Sequence, residues 1–234
     1  IMIIAIHQPD YLPYIGTYYS MSRADKYVFL DDAQYSTSNM NDYNKIKTPQ
    51  GECRIKIPVQ HHFKDAINQV VTRDSLGWKE KHLKMIRMNY TKSRYFQEFY
   101  PVLEKLLQKQ YENLAEMNIA ISVEIARRLG ITTEFCRSSD LQIHSQKEQR
   151  VIDICGHLNG TVYFSGRGAE SYQREENFSK AGLQLVYTDY QPFCYPQQWG
   201  AFIPNLSIID FIFNCGYDWE YAMKKIQKER GTNQ

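Results

Sequence analysis

Two short, continuous apolar runs open the chain, at residues 3–6 and 27–30, and each has the pattern of a strand buried on both faces. Between them, the prolines of His7-Gln8-Pro9-Asp10-Tyr11-Leu12-Pro13 forbid a regular strand or helix interior. Residues 14–23 then fit a short helix. A polar stretch rich in Asn, Ser, Tyr and Thr follows at 35–50 and reads as a long loop, and long loops in compact domains are often functional. Residues 54–59 and 67–72 read as strands.

Residues 78–130 carry the helical period. The segment 79–89 is basic and amphipathic, and 95–110 spaces Phe96, Phe99, Tyr100, Leu103, Leu106 and Leu107 on one face. Residues 113–129 do the same with Leu114, Met117, Ile121, Ile125 and Leu129, and Gly130 is a good helix stop. These stripes read as core. Strand and helix alternate afterwards: strands at 133–137, 161–164 and 183–187, helices at 145–158 and 174–181. Ser145 with Glu148 three residues on suggests a capping box. An irregular stretch with three prolines spans 190–204, and helices are expected at 207–215 and 218–229.

This alternation predicts a parallel sheet. We expect a single α/β domain over residues 1–234, with a Rossmann-like, mostly parallel sheet flanked by helices. A helical segment at about 78–130 is inserted into it, and helices at about 204–229 close the chain.

Three polar clusters follow predicted strands: His7, Gln8 and Asp10 with Tyr11 and Tyr14; Asp31, Asp32 and Gln34; and Ser165, Gly166, Arg167 and Gly168. In a parallel sheet all three lie on the edge where open α/β folds bind ligands. His7 is the acid–base candidate, because imidazole changes charge near neutral pH. Asp31 and Asp32 could orient it, hold a metal ion or bind hydroxyls, although adjacent strand residues face opposite ways. Gln8, Gln34, Asn39, Asn41 and Asn44 offer both donors and acceptors, suited to a saccharide-like ligand. Arg167 between two glycines could bind phosphate, though the sequence is neither a Walker A motif nor GxGxxG.

Nucleotidyltransferases and class I synthetases open with a similar strand, turn and helix, closed by a His-x-Gly-His type sequence. Here Ile15 and Tyr18 occupy the histidine places, so the phosphate-binding imidazoles are missing. His61, His62 and His82 lack a carboxylate or cysteine partner at metal-ligand spacing and are expected to face solvent; no metal site is expected. Lys79, Lys81, Lys84 and Arg87, with Lys92 and Arg94, form the one basic patch, read as a solvated helix face.

Composition narrows the classes. The 234 residues carry 28 Lys plus Arg against 26 Asp plus Glu, a net charge of +2 that implies no wholesale nucleic-acid binding. No apolar run approaches the ~18 residues of a membrane span. Residues 1–7 lack the basic stretch of a secretory signal. Five cysteines without a CxxC pair suggest reduced, mostly buried thiols in a cytoplasmic protein. Eighteen tyrosines stand out, each an apolar face with a polar tip.

The chain resembles the WbqC-like family. The resemblance is carried by His7-Gln8-Pro9-Asp10-Tyr11-Leu12-Pro13-Tyr14-Ile15-Gly16, Phe29-Leu30-Asp31-Asp32-Ala33-Gln34-Tyr35-Ser36 and Asn44-Lys45-Ile46-Lys47. Later pieces include Ile57-Pro58-Val59, Ser165-Gly166, Tyr195-Pro196-Gln197 and Pro204-Asn205-Leu206-Ser207-Ile208-Ile209-Asp210. Tyr14, Tyr43 and Arg167 stand where the family usually has Trp, Arg and Ala. The resemblance implies a role in surface-polysaccharide (O-antigen) biosynthesis: aminoacyl or acyl transfer, such as glycyl transfer, to the amino group of a nucleotide-linked amino sugar.

Joined to the strand-end argument, this makes His7, Asp31 and Asp32 the catalytic candidates. Gln8, Asp10, Tyr11, Tyr14, Gln34, Asn44, Lys45, Ser165, Gly166 and Arg167 are the substrate-binding candidates. The expected ligand is a nucleotide sugar, and no cofactor is assigned. Nucleic acid enters only if the donor is an aminoacyl-tRNA. The alternatives are an ATP-dependent adenylating or nucleotidyltransferase-like enzyme and a non-catalytic glycan or nucleotide-sugar binding protein.

Overall fold

A computed structural model describes residues 1–232. The elements in order are β1 (Ile3–His7), α1 (Ile15–Arg23), β2 (Lys26–Phe29), β3 (Tyr43–Thr48), β4 (Gly51–Lys56), β5 (Val59–Gln60), β6 (Val71–Thr72), α2 (Trp78–Tyr90), α3 (Phe96–Gln108), α4 (Leu114–Arg128), β7 (Glu134–Arg137) and α5 (Ser138–Leu141). They continue with α6 (Lys147–His157), β8 (Val162–Ser165), α7 (Glu175–Lys180), β9 (Gln184–Tyr187), α8 (Ile208–Cys215) and α9 (Trp219–Thr232). Among the described residues no helix is long and apolar enough to cross a membrane.

Five strands form one parallel sheet in the order β7-β2-β1-β8-β9. Counted along the sheet's own strands this is 3-2-1-4-5, the Rossmann-like order, with its switch point between β1 and β8. The expected mostly parallel sheet flanked by helices is what the chain forms. Strand alternation divides the core in two. Ala5, Tyr27, Phe29 and Phe164 face α1 and the inserted helices, whereas Ile4, Ile6, Val28 and Tyr163 face Ile152, Ile154 and Cys155 of α6 and Phe178 of α7. The apolar runs at 3–6 and 27–30 are continuous because both of these faces are covered.

The insertion between β2 and β7 departs from the sequence expectation in three places. The polar stretch 35–50 is not all loop: β3 lies within it and pairs with β4 as a hairpin, Tyr43 opposite Lys56 and Thr48 opposite Gly51. Its buried positions carry Asn44 and Lys47 as well as Ile46, so no apolar alternation marks the strand. Residues 54–59 are split, because β4 ends before Pro58 and β5 starts after it. Residues 67–72 are a 3-10 turn at Ile67–Gln69 followed by the two-residue β6. The three expected helices between 78 and 130 are all present, and Gly130 closes α4 at φ 79°.

Ser145 is not a helix cap either. The N-cap of α6 is Gln146, Ser145 donates its hydroxyl to Asp153, and Glu148 accepts from the Arg174 amide and from Asn177. A carboxylate drawn to a second loop is unavailable for a capping box.

A buried polar network joins the hairpin to the irregular segment after β9. Lys47 donates its ammonium to the Ala201 carbonyl at 2.6 Å and to Gln197 Oε1 at 3.1 Å. Gln197 in turn donates to Asp210 Oδ2 at 2.8 Å, and Asp210 also accepts from the Tyr90 and Tyr195 hydroxyls at 2.8 and 2.7 Å. Burial pushes the Asp210 carboxyl up, while these hydrogen bonds and the Lys47 charge oppose the rise.

His82 is buried rather than solvent-facing. Its Nε2 lies 3.0 Å from the Lys56 carbonyl and so carries the proton; its Nδ1 then accepts from the Tyr11 hydroxyl at 2.9 Å. Burial pushes its pKa from 6.5 down to about 4. A histidine depressed in the fold binds its proton preferentially in the unfolded chain, so its stabilisation is complete above pH 6.5 and is lost as pH falls towards 4. The expected loss is about 3 kcal/mol. Urea unfolding of the parent and of His82→Gln across that range checks it. The variant should lose stability less steeply with falling pH, by up to about one proton, and equal slopes would refute the assignment.

Candidate active site at the sheet switch point

A cavity of about 920 Å³ opens above the C-terminal ends of β1, β2 and β8. Its walls come from the turn after β1, the first turn of α1, the loop before β3, the start of α6 and the segment after β8. That is the position the sheet order dictates, because connections leave β1 and β8 on opposite faces and open a crevice between them.

The 8–14 turn is held from two sides. Asn118 of α4 donates to the Pro9 carbonyl at 3.1 Å and to the Asn41 carbonyl at 2.7 Å. Asn44 of β3 donates to the Tyr11 carbonyl at 2.9 Å. Asn39 and Asn41 both donate to Gln8 Oε1, at 3.0 and 3.3 Å. The Gln8 side-chain oxygen is thereby taken up by the loop, and what that side chain offers a ligand is its NH2. Leu12 takes a left-handed φ of 44° between these anchors.

His7 ends β1, is 52% exposed and lines the cavity. Its Nδ1 sits 2.8 Å from the Gln8 carbonyl, so that nitrogen carries the proton and the neutral ring keeps Nε2 as its free acceptor. The carboxylate beside it is Asp10, Oδ2 at 3.7 Å from Nδ1. Burial raises the Asp10 pKa, against the attraction of His7 and the Asn41 hydrogen bond. Tyr14 lies across the entrance to α1, with its ring where a Cβ on Gly16 would stand, 2.3 Å from its Cζ, so Gly16 is required for that ring position.

His7, Gln8, Asp10, Tyr14 and Asn44 thus come together on one cavity. Gly166 and Arg167 line a second cavity, of about 320 Å³, which shares Ile6, His7, Tyr14 and Thr17 with the first. Arg167 is exposed, 3.5 Å from Glu170.

The other candidates sit elsewhere. Asp31 accepts from the Ser139 amide and hydroxyl and from Ser138, while Asp32 takes two hydrogen bonds from Arg150, at 2.6 and 2.7 Å, and one from Ser138. Together they pin the end of β2 to α5 and α6, and neither lines the cavity. The carboxylate that stands beside His7 is Asp10, while Asp31 and Asp32 are held by Ser138, Ser139 and Arg150. Tyr11 is buried beneath the turn on His82, and Lys45 reaches Glu52 across the hairpin at 3.2 Å. Gln34 is exposed and bridges to Ala66, and Ser165 is buried with its hydroxyl on Gln173.

The basic patch is partly neutralised. Lys79 is buried against Asp74 at 3.0 Å and the Lys109 carbonyl, and Arg87 lies 3.6 Å from Glu104. Of the cysteines, Cys155 is buried, Cys194 exposed and the rest partly covered. Among the described residues no three His, Cys, Asp or Glu side chains converge as a metal site.

Sequence reasoning missed Glu148, Tyr163, Tyr172 and Gln173 in the large cavity and Tyr27 and Tyr190 in the small one. Only Tyr163 carried a signal, two positions before the predicted strand-end cluster and on the same strand face as Ser165.

The chain is 32% identical over 217 residues to "Uncharacterized protein Rv1507c" of Mycobacterium tuberculosis, with 91% of this chain and 94% of that protein covered. No solved structure matches it. The WbqC-like protein family matches residues 8–220, from the turn that carries Gln8 and Asp10 to the start of the last helix. The chain belongs to the WbqC-like protein family.

Proposed function

We propose that the large cavity binds a nucleotide-linked amino sugar and that the protein transfers an acyl or aminoacyl group to its amine, in the assembly of a surface polysaccharide. The observation that carries this is His7, tethered through Nδ1 with Nε2 free on the wall of a cavity of about 920 Å³. That volume is at the upper end of ligand pockets and suits a substrate of nucleotide-sugar size.

In the transfer, the amine nitrogen attacks the carbonyl carbon of the donor. A C–N bond forms, the bond from carbon to the leaving group breaks, and the amine proton passes to His7 Nε2. Asp10 faces the other ring nitrogen and stabilises the imidazolium that results. Gln8 and Tyr14 supply hydrogen bonds to sugar hydroxyls, and Asn44 fixes the turn that presents them.

A thermal-shift series with amino-sugar nucleotides, plain nucleotides and magnesium-ATP tests the reading. At about 100 times Kd a ligand adds about 2.7 kcal/mol, a rise of about 5–10 °C for a chain of this size. The rise is expected with an amino-sugar nucleotide and should shrink when Tyr14 is replaced by Ala. A rise with ATP alone would replace this reading with adenylation.

A further inference from the structure

The switch point carries two cavities, one on each face of the sheet. The large one uses the side chains of Ile6, Leu30 and Tyr163; the small one uses Ala5, Tyr27 and Phe164, from the opposite face. They meet along Ile6, His7, Tyr14 and Thr17. A nucleotide sugar fills the large cavity, and nothing in that assignment uses the small one.

Tyr27 is 1% exposed and forms part of the small cavity's wall. Its phenol oxygen is buried and has no hydrogen-bond partner among the described residues. A buried hydroxyl left unpaired costs about 1–3 kcal/mol, so the position calls for an acceptor oxygen from outside the chain. Burial, with the nearby Asp10 charge and neighbouring phenols adding to it, holds that phenol well above its usual pKa, so it is a donor and not an anion. Arg167 lies on the same cavity, flanked by Gly166 and Gly168, with its side chain 62% exposed and its Nη1 3.5 Å from the similarly solvent-facing Glu170. One neutral donor in the wall and one cation at the glycine loop define a ligand with a carbonyl-type acceptor and an anionic group.

We propose that the small cavity is a second substrate subsite, which binds a small carbonyl-bearing anion of the acyl phosphate class. Tyr27 donates to its uncharged oxygen and Arg167 pairs with its charge. The proposal rests on the transfer reading for its meaning as a donor site. In that reading the shared wall places His7 between donor and acceptor: the amine nitrogen attacks the carbonyl carbon in the small cavity, the C–O bond to phosphate breaks, inorganic phosphate leaves, and the amine proton passes to His7.

Binding is measurable without any transfer. Isothermal titration with acetyl phosphate, acetate and inorganic phosphate, each alone, reads the subsite directly. Saturable binding of acetyl phosphate is expected, weakened about 10-fold by Tyr27→Phe and by Arg167→Ala. Tyr27→Phe removes only an unpaired oxygen, so its melting temperature should equal or exceed the parent's, which separates lost binding from lost folding. Equal affinity in parent and Tyr27→Phe, or no saturable heat at millimolar acetyl phosphate, would overturn the subsite. Phosphate binding as tightly as acetyl phosphate, unchanged in Tyr27→Phe, would also overturn it. Titration of the same preparations with an amino-sugar nucleotide keeps the two claims apart. If acetyl phosphate binds through Tyr27 and the nucleotide sugar does not bind, the subsite stands and the proposed acceptor falls; the reverse pair of results does the opposite.

Discussion

Replacing His7 by Ala is expected to lower the transfer rate by about 10²–10⁴, the usual worth of a positioned general base, while leaving the fold in place. His7 is half exposed and its ring makes one hydrogen bond, to its own neighbour's carbonyl. Its removal therefore opens no core cavity, and the stability change should stay within about 0.5 kcal/mol. Initial rates with an amino-sugar nucleotide and an acyl donor, set beside a melting curve, separate the two effects. A His7→Ala protein that keeps full activity would move the base elsewhere.

The largest stability effect is expected in the Lys47–Asp210 network. Both side chains are almost entirely buried; the Lys47 ammonium is held by Gln197, Gly200 and Ala201, and Asp210 accepts from Tyr90 of α2 and from Tyr195 and Gln197. Lys47→Met would leave the buried Gln197 and Ala201 oxygens without their donor and would remove the nearby charge that opposes the rise at Asp210. Each buried oxygen left unpaired costs about 1–3 kcal/mol, and two of them lower the melting temperature by on the order of 10 °C for a chain of this length. Replacing both, as Lys47→Met with Asp210→Leu, also removes the Asp210 charge and should recover part of the loss. Scanning calorimetry on the two singles and the double completes the cycle. A single substitution costing under about 1 kcal/mol would show that the pair is bystander to the fold.

The sheet was legible because its strands are covered on both faces and are therefore apolar without interruption, at 3–6 and 27–30 above all. The site's location followed from the same runs, since a parallel sheet has one ligand-binding edge. The hairpin was not legible, because it fills its inward positions with Asn44 and Lys47, whose partners Tyr11 and Ala201 lie far along the chain. Asp31 and Asp32 were ambiguous for a similar reason. A carboxylate at a strand end looks the same in sequence whether it faces a ligand or an arginine, and Arg150 stands 118 positions from Asp32. Asp10 is three residues from His7 and was placed among binding groups; its role beside the imidazole depends on the left-handed Leu12 turn and the Asn41 clamp, neither of which has a local signature.

β1 occupies the middle of the sheet, yet one of its two neighbours comes from the far end of the chain: Met2 meets Thr161 across 159 positions. During synthesis β1 leaves the ribosome long before β8 exists to flank it. Closing a loop of that length costs about 4–5 kcal/mol of chain entropy before any pairing energy returns. A nascent chain carrying only the first half therefore holds β1 against β2 with its other edge open, and Ile4 and Ile6 lack the cover of α6. Such an edge invites chaperones or a second nascent chain. The cavity, whose walls need both flanks of β1, comes into being late and all at once, so partly made chains expose a sticky strand but no binding site.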